Sequence, residues 1–288
     1  MARYDIAIIG TGPAGLEAAI TATVRNKNII LFGSRKASSK VQKAHSVQNY
    51  LGLPDISGKD MQKAFIGHID SMGIQITEEK VTMVYPMGSY FSIQTSSNQI
   101  LEARTVILAA GMIAAKNYPG ENEFLGRGVS YCATCDGPLY RGKTVAVIAS
   151  SAEAESEADY LQETAGRVYY FPLYKEEVHT APGIEVRREK PQEILGDMKV
   201  STLRTDQAEY PVDGIFVLRE SIAPGQLVPG LEMDGPHVKT ARDMSTNIEG
   251  LFACGDITGT PYQYIKAAGE GNTAALGAVR WLDSHKEA

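Results

Sequence analysis

The residues best suited to chemistry stand together at Cys132, Cys135 and Asp136. Two cysteines separated by two residues can close a small disulfide ring, and this spacing is typical of redox-active pairs. If Cys135 begins a helix, the positive end of that helix favours the thiolate form of its sulfur. Asp136 is placed to exchange a proton with a sulfur atom when the disulfide opens or closes. The motif therefore predicts a redox disulfide with an adjacent proton donor.

The same two cysteines could instead form half of a zinc site, which would need a second pair of cysteine or histidine ligands. The one other cysteine in the sequence, Cys254, has no histidine near it, and we expect it to be a small packing residue. No histidine shows ligand spacing, and each is expected on the surface or in the core: His45, His68, His179, His237 and His285. A redox pair is therefore favoured over zinc.

Length and composition narrow the class of protein. A chain of 288 residues is long enough for two domains, and its net charge of -6 argues against non-specific nucleic-acid binding. Three cysteines do not make the disulfide framework of a secreted protein. The sequence contains no run of about 18 apolar residues, so no membrane span is predicted. The N-terminal residues lead straight into a glycine motif, so we expect no signal peptide. We expect a cytoplasmic protein that binds neither nucleic acid nor membrane.

The glycine motif, G-x-G-x-x-G at residues 10–15, follows a β-branched run at 5–9 and precedes a helical pattern at 16–20. Gly10 permits a tight turn, Gly12 lets the backbone approach a pyrophosphate, and Gly15 lets the helix pack on the strand. The N-terminus of that helix attracts the anion. A surface turn would not need three glycines at this spacing, so the motif predicts a dinucleotide-binding turn.

The second strand, at residues 28–32, lacks at its end the acidic residue that usually binds a ribose. An acid-free loop follows and carries Arg35, Lys36, Lys40 and Lys43. This loop is either a solvated basic segment or a docking patch for an acidic partner.

Later segments repeat the nucleotide-fold pattern. Apolar runs at 143–148 and 168–171 flank a helical segment, and they predict a second βαβ unit. The other expected elements are antiparallel strands within 81–108 that end at Ala109-Ala110-Gly111, a linker at 118–120, a strand that ends at Gly255-Asp256, and a small-residue helix at 264–281.

Taken in order and spacing, these motifs resemble the low-molecular-weight, bacterial-type thioredoxin reductases over nearly the whole chain. The resemblance implies an α/β protein with two Rossmann-like, three-layer ββα domains, the second inserted in the first. It assigns residues 1–115 and 243–288 to an FAD-binding domain and 116–242 to a central redox-disulfide domain with a degenerate pyridine-nucleotide fold, and it implies a homodimer.

The resemblance also implies residue roles. In this family the cysteine that matches Cys135 faces the flavin, the one that matches Cys132 attacks the disulfide of thioredoxin, and the acid that matches Asp136 donates the proton. The residues expected to bind FAD are Gly10, Gly12, Pro13, Ala14, Gly15, Asn49, Ala110, Gly111, Gly255, Asp256, Tyr262 and Gln263.

Three departures from the family concern the second nucleotide fold. The family's Gly-x-Gly-x-x-Ala is replaced at residues 149–154 by Ala-Ser-Ser-Ala-Glu-Ala, which puts Ser151 where backbone should touch a pyrophosphate. Acids then crowd the start of the helix: Glu153, Glu155, Glu157 and Asp159. The family's His-Arg-Arg for the 2′-phosphate is replaced by Pro172-Leu173-Tyr174, while Arg187 and Arg188 lie among glutamates and are expected on the surface.

The flavin half departs as well, because the basic loop replaces Gly-Gly-Gln and Tyr262-Gln263 replaces Arg-Gln. With the NADPH motifs lost, the sequence resembles the ferredoxin-dependent flavin thioredoxin reductases. That resemblance implies that reduced ferredoxin supplies electrons to FAD, that FAD reduces the Cys132–Cys135 disulfide, and that Cys132 reduces thioredoxin. Three alternatives stay open: an NADPH-dependent thioredoxin reductase, a dithiol oxidase that uses oxygen, and a non-enzymatic flavin redox sensor.

Overall fold

The structure is a computed structural model that describes residues 3–35, 41, 44–111, 117–219 and 224–285. Its strands, numbered in chain order, are β1 Tyr4–Ile9, β2 Ile29–Phe32, β3 Ile76–Thr77, β4 Val81–Pro86, β5 Phe91–Thr95, β6 Ile100–Leu108, β7 Val129–Ser130, β8 Thr144–Ala149, β9 Arg167–Pro172, β10 Glu185–Val186, β11 Pro191–Gly196, β12 Val200–Thr205, β13 Glu209–Pro211, β14 Gly214–Leu218, β15 Met233–Asp234, β16 His237–Val238 and β17 Leu251–Ala253. Its helices are α1 Pro13–Val24, α2 Gly58–Ser71, α3 Ala133–Asp136, α4 Glu155–Thr164, α5 Pro224–Leu227 and α6 Tyr264–Ser284, with 3₁₀ turns at Gly137–Tyr140, Ala152–Ala154 and Gly255–Thr258.

The described residues divide into two compact units. The first contains the residues before 96, residues 99–111 and the residues from 224 onward, and the second contains residues 96–98 and 117–219. The second unit is thus inserted in the first, as the predicted fold class requires. The sequence assigned residues 116–242 to the central domain, whereas the structure groups β15 and β16 with the first unit.

The sheet of the first unit is organised by its longest strand, β6. The carboxyl half of β6 lies parallel to β1 on one side and to β17 on the other, whereas its amino half pairs antiparallel with β5. The full order is β3-β2-β1-β6-β5-β4, with β17 also on β6. The apolar residues of β1 are fully buried from Ile6 to Ile8, as expected for a central parallel strand.

Helices α1 and α6 pack against each other through small residues. A Cβ built on Gly271 of α6 would lie 2.0 Å from the carbonyl oxygen of Ala14 in α1, so any larger residue would force the helices apart. Ala274, Ala275 and Ala278 of α6 are fully buried in the same core. The small-residue helix that the sequence predicts therefore exists, and its composition allows a close approach to the first turn of α1.

The second unit has three layers. Its parallel sheet has the order β10-β9-β8-β14-β7, and alternate side chains face opposite sides. Val145, Val147 and Phe216 pack with Leu161 of α4. On the other side, Ala146 and Ile148 pack in a separate core with side chains of the antiparallel sheet β11-β12-β13. The predicted second βαβ unit is β8-α4-β9, with β8 and β9 parallel.

Among the described residues, no helix is both long and apolar enough to cross a membrane.

Candidate active site

Cys132 and Cys135 form a disulfide at the first turn of α3. The sequence left open whether Cys135 begins a helix. In the structure Cys132 occupies the N-cap, and its sulfur accepts a hydrogen bond of 3.2 Å from the backbone N–H of Cys135. The helix therefore begins at Ala133, and Cys135 lies in its first turn. Cys132 is buried, with 6% of its surface exposed, whereas Cys135 is partly exposed. The second cysteine is thus the more accessible in this conformation.

Polar contacts hold the backbone around Cys132 in place. The hydroxyl of Ser130 accepts from the N–H of Cys132 at 3.2 Å. The hydroxyl of Thr134 donates to the carbonyl of Ser96 at 2.5 Å and lies 3.5 Å from the Cys132 sulfur. These contacts, all inside the second unit, fix the redox turn from both sides.

Glu157 of α4 accepts a hydrogen bond of 3.2 Å from the backbone N–H of Ala133. Its carboxylate therefore sits at the start of α3, where the helix favours negative charge. Sequence reasoning treated Glu157 as an obstacle to nucleotide binding and missed this contact. The two residues are 24 positions apart, and no local pattern links them.

Asp136 ends α3 and is partly buried. Burial raises the pKa of the Tyr140 phenol, and the negative charges of Asp136 and Asp213 raise it further. The role of Asp136 as proton donor stays a prediction.

Sequence reasoning also missed a buried ion pair between Glu121 and Arg219, which contacts the segment between β7 and Cys132. Glu121 has no exposed surface, and Arg219 donates to both of its carboxylate oxygens. The hydroxyl of Tyr131, the residue before Cys132, donates to the same carboxylate at 3.0 Å. The N–H of Tyr118 donates to its other oxygen at 2.9 Å.

The glycine motif of the first unit has the shape that a dinucleotide requires. Gly10 has a φ of +120°, and a Cβ there would lie 2.2 Å from the carbonyl oxygen of Ala109. A Cβ on Gly15 would lie 1.8 Å from the carbonyl oxygen of Gly10, whereas nothing lies within 4 Å of one on Gly12. Helix α1 begins at Pro13 with no side-chain cap and no acid in its first turn. Its N-terminal N–H groups can therefore receive a phosphate.

The other predicted FAD residues gather on the same unit. Register pairs Ile9 with Leu108 and Leu108 with Ala253, so β1, β6 and β17 end at one edge of the sheet. Gly10, Ala110 and Gly255 follow those ends, and ligands of parallel sheets bind at such edges. These positions fit FAD, although their individual roles remain predictions.

Further members of the predicted FAD-binding set contact residues that are distant in the sequence. The side-chain amide of Asn49 donates to Gln263 Oε1 at 2.7 Å, which brings the segment between β2 and α2 to the start of α6. The hydroxyl of Tyr262 lies 2.7 Å from His237 Nε2. His237, which the sequence left as a surface or core residue, is thereby tied to the residue that replaces the family's arginine.

The basic loop lies mostly outside the described residues, since Lys36, Lys40 and Lys43 fall there. Arg35 is described, and its guanidinium lies 2.7 Å from both carboxylate oxygens of Asp70. The charge of Arg35 is thus paired with Asp70 within the first unit. The hypothesis that this loop docks an acidic partner therefore rests on Lys36, Lys40 and Lys43.

In the second unit, acidic side chains of α4 bond to the segment that follows β9. Glu155, at the start of α4, accepts from the hydroxyl of Tyr174 and from the backbone N–H of His179 at 3.2 Å. The Tyr174 hydroxyl also contacts that of buried Tyr170 at 3.0 Å. Asp159 accepts from the N–H of Ala181 at 2.6 Å. The acids of α4 therefore bind the segment that follows β9.

Two arginines near this segment make further contacts. Arg188 donates to the carbonyls of Tyr174 and Glu176, at 3.2 and 2.9 Å. Arg187 pairs with Glu185 at 2.5 Å. Arg188 is exposed, as expected, and its guanidinium hydrogen-bonds to the backbone on both sides of Lys175.

Comparison with known proteins places this geometry in a family. Residues 4–271 match the pyridine nucleotide-disulphide oxidoreductase family, and the chain belongs to it. It is 33% identical to a thioredoxin reductase of Treponema pallidum, over 98% of both chains. It is 31% identical to one of Aquifex aeolicus, over 99% of this chain and 95% of that one.

Solved structures agree. A ferredoxin-flavin thioredoxin reductase from Clostridium acetobutylicum is 53% identical, with a TM-score of 0.93 over 98% of this chain and 99% of that one. A thioredoxin reductase from Gloeobacter violaceus is 30% identical, with a TM-score of 0.80 over 99% of this chain and 96% of that one. The predicted family is confirmed: the chain is a disulfide oxidoreductase of the thioredoxin reductase type, and its cofactor is FAD.

Proposed function

We propose that this enzyme reduces thioredoxin through Cys132 and that its electrons come from a ferredoxin rather than from NADPH. The observation that carries the proposal is the Tyr174–Glu155 hydrogen bond at the start of α4. In a nucleotide-binding fold this helix start receives the pyrophosphate. Here it carries a carboxylate that is 9% exposed and already accepts two internal hydrogen bonds.

A dinucleotide would have to displace those contacts and then face the acids of α4. One unit charge about 5 Å from a phosphate costs roughly 3 kcal/mol at an effective dielectric constant near 20. That cost corresponds to about two orders of magnitude in affinity. The clostridial structure with 53% identity supports a different donor, because it is named a ferredoxin-flavin enzyme.

The energetics permit this donor. Low-potential ferredoxins lie near about −400 mV and thioredoxin near about −270 mV. A drop of about 130 mV for two electrons is roughly 6 kcal/mol in the direction of thioredoxin reduction. Bound FAD would supply the exchange between a one-electron donor and a two-electron disulfide.

The residues of the chain would then act in a fixed order. Two electrons and two protons open the Cys132–Cys135 disulfide, and the Cys132 thiolate attacks the disulfide of thioredoxin. Cys135 displaces reduced thioredoxin from the resulting mixed disulfide, and Asp136 supplies the proton to the leaving sulfur. Because Cys132 is 6% exposed, its attack on a protein requires a rearrangement that uncovers it.

Ferredoxins of this kind are acidic, so the basic loop would steer their approach. Lys36, Lys40 and Lys43 are the proposed docking residues. The proposal also includes a homodimer and the cytoplasmic location that cysteine usage predicts.

The deciding experiment follows the visible absorbance of the flavin anaerobically, with NADPH, NADH and reduced ferredoxin added in turn. Of the three donors, we expect only reduced ferredoxin to bleach the flavin. The reduced enzyme should then reduce added thioredoxin. A Cys132→Ser, Cys135→Ser double variant should still bleach but should not reduce thioredoxin. Fast bleaching by NADPH would refute the choice of donor, peroxide release during dithiol turnover would indicate an oxidase, and absence of turnover with every donor would indicate a sensor.

The docking loop is tested separately. Lys40→Glu with Lys43→Glu should slow ferredoxin-driven bleaching at low salt and lose that effect at high salt. Lys190→Glu with Lys199→Glu makes the same charge change on exposed residues of the second unit and is the matched control. Equal rates for the two double variants would remove the docking role.

A further inference from the structure

We propose that Lys266 and Glu270 are positioning residues for FAD. They hold the 3₁₀ turn Gly255–Thr258, which carries Asp256, and they balance each other's charge beside the phosphate-binding turn. The inference rests on the assignment of FAD to the first unit, and it does not depend on the electron donor.

Glu270 holds the beginning and the end of the turn. One carboxylate oxygen, Oε2, accepts from the backbone N–H of Gly255 at 2.9 Å and from the hydroxyl of Thr258 at 2.9 Å. The Thr258 hydroxyl oxygen also lies 2.8 Å from the carbonyl oxygen of Gly255. The residues on both sides of Asp256 are thus fixed to one carboxylate.

Lys266 binds the carbonyl groups of the same turn. Its ammonium donates to the carbonyls of Gly255 and Gly259, at 3.1 and 2.8 Å, and lies 3.3 Å from the hydroxyl of Thr258. It also lies 3.1 Å from Glu270 Oε2, one helical turn away on α6. Both side chains are 20% exposed, so the pair is largely shielded from solvent.

The pair lies close to the glycine motif. A Cβ built on Gly255 would lie 2.9 Å from the Cβ of Ala14, and one on Gly271, next to Glu270, would lie 2.0 Å from the carbonyl oxygen of Ala14. Ala14 belongs to the first turn of α1, where the phosphates are expected. A net charge left at Lys266 or Glu270 would therefore act on an anionic ligand across a short, partly shielded distance.

This arrangement predicts an asymmetry between the two partners. Lys266→Met removes the carbonyl contacts and leaves an unbalanced carboxylate that repels the phosphates. Glu270→Gln keeps an amide oxygen that can accept from Gly255 and leaves a cation that attracts them. The double variant removes both charges. A brace with a purely structural role would instead make both single variants equally harmful.

The test measures FAD release from the intact holoprotein, followed by the rise in free-flavin fluorescence at several salt concentrations. We expect release from Lys266→Met to be roughly tenfold faster at low salt, with a smaller difference at high salt. Glu270→Gln should stay within about threefold of the parent, the double variant should fall between the two single variants, and Lys266→Arg should restore retention.

Equal acceleration in both single variants without salt dependence would overturn the proposal, and so would unchanged release in Lys266→Met. Thermal unfolding of each holoprotein identifies a variant that fails to fold, and in that case Lys266→Gln repeats the comparison with a smaller change. Because no electron donor is present, failure here would leave the ferredoxin proposal standing, and failure of the ferredoxin proposal would leave this one standing.

Discussion

Arg219 donates to both carboxylate oxygens of Glu121, a side chain with no exposed surface. Glu121 follows the stretch where the chain enters the second unit, and Arg219 is the last described residue before the chain leaves it. The pair therefore joins the two ends of the inserted segment. Because Tyr131 bonds to the same carboxylate, the strand that leads to Cys132 is anchored at this point too.

The first prediction concerns this buried pair. Glu121→Gln should lower the free energy of unfolding of the second unit by about 3–5 kcal/mol, because it leaves the Arg219 guanidinium without its compensating charge in a desolvated site. Urea unfolding measures the change. Glu123→Gln is the matched control, since Glu123 is exposed two residues away and should cost less than about 0.5 kcal/mol. A loss of similar size in both variants would show that the pair is not what stabilises this region.

The second prediction separates the roles of the two cysteines. A reduced Cys135→Ser variant, freed of added thiol, should form a stable mixed disulfide with a thioredoxin that keeps only the attacked cysteine, activated as a disulfide with a chromogenic thiol. Cys132 displaces the chromogenic thiol, and neither protein retains a second cysteine at the site that could release the product. Mass spectrometry of the trapped complex identifies the linked cysteine. The Cys132→Ser variant is the control and should trap no thioredoxin. Trapping through Cys135 in that control would reverse the assignment.

The third prediction concerns Cys254, whose side chain is completely buried. Burial raises the pKa of its thiol, and the nearby charge of Glu270 raises it further. After reduction of the native protein, Cys135 should react with iodoacetamide and Cys254 should not, even when the pH is raised from about 7 to about 9. In urea all three cysteines should react. Modification of Cys254 in the native state would indicate local opening around β17.

Local patterns predicted much of the fold. β1 and the glycine turn follow from a β-branched run and fixed glycine spacing, and α6 follows from its small residues. The sequence placed β15 and β16 in the central domain, whereas the structure groups them with the first unit. Each strand has two residues, and no apolar run marks where the chain returns to the first unit.

The site was predicted less completely for a physical reason. The redox cysteines are neighbours in sequence, so their spacing reveals them. Glu121 and Arg219 are 98 positions apart, and Glu155 and Tyr174 are 19 apart. Such pairs form only when parallel strands bring their ends together, and composition carries no signal for them. The acids of α4 were interpreted as unfavourable to a nucleotide, which stays a prediction, and their hydrogen-bond partners could not be inferred.

The last prediction uses those acids. Burial raises the pKa of Tyr174 to about 12, and its hydrogen bond to Glu155 acts in the same direction. Burial likewise raises the pKa of Tyr170. In the unfolded chain tyrosines ionise near 10.0. Between these values the native state binds more protons than the unfolded state, so stability is complete below about pH 10 and falls as the pH rises toward about 12.

Urea unfolding at several pH values above about 9 should show this decline. Tyr174→Phe should make the decline smaller, because one of the two hydroxyls that ionise on unfolding is removed. Tyr85→Phe changes a tyrosine that is 41% exposed on β4 of the first unit, and it should leave the decline of the second unit unchanged. If the two variants decline alike, the Tyr174 hydroxyl is already ionised or solvated in the native protein. The proposal that Glu155 and Tyr174 close the start of α4 to a pyridine nucleotide would then lose its main support.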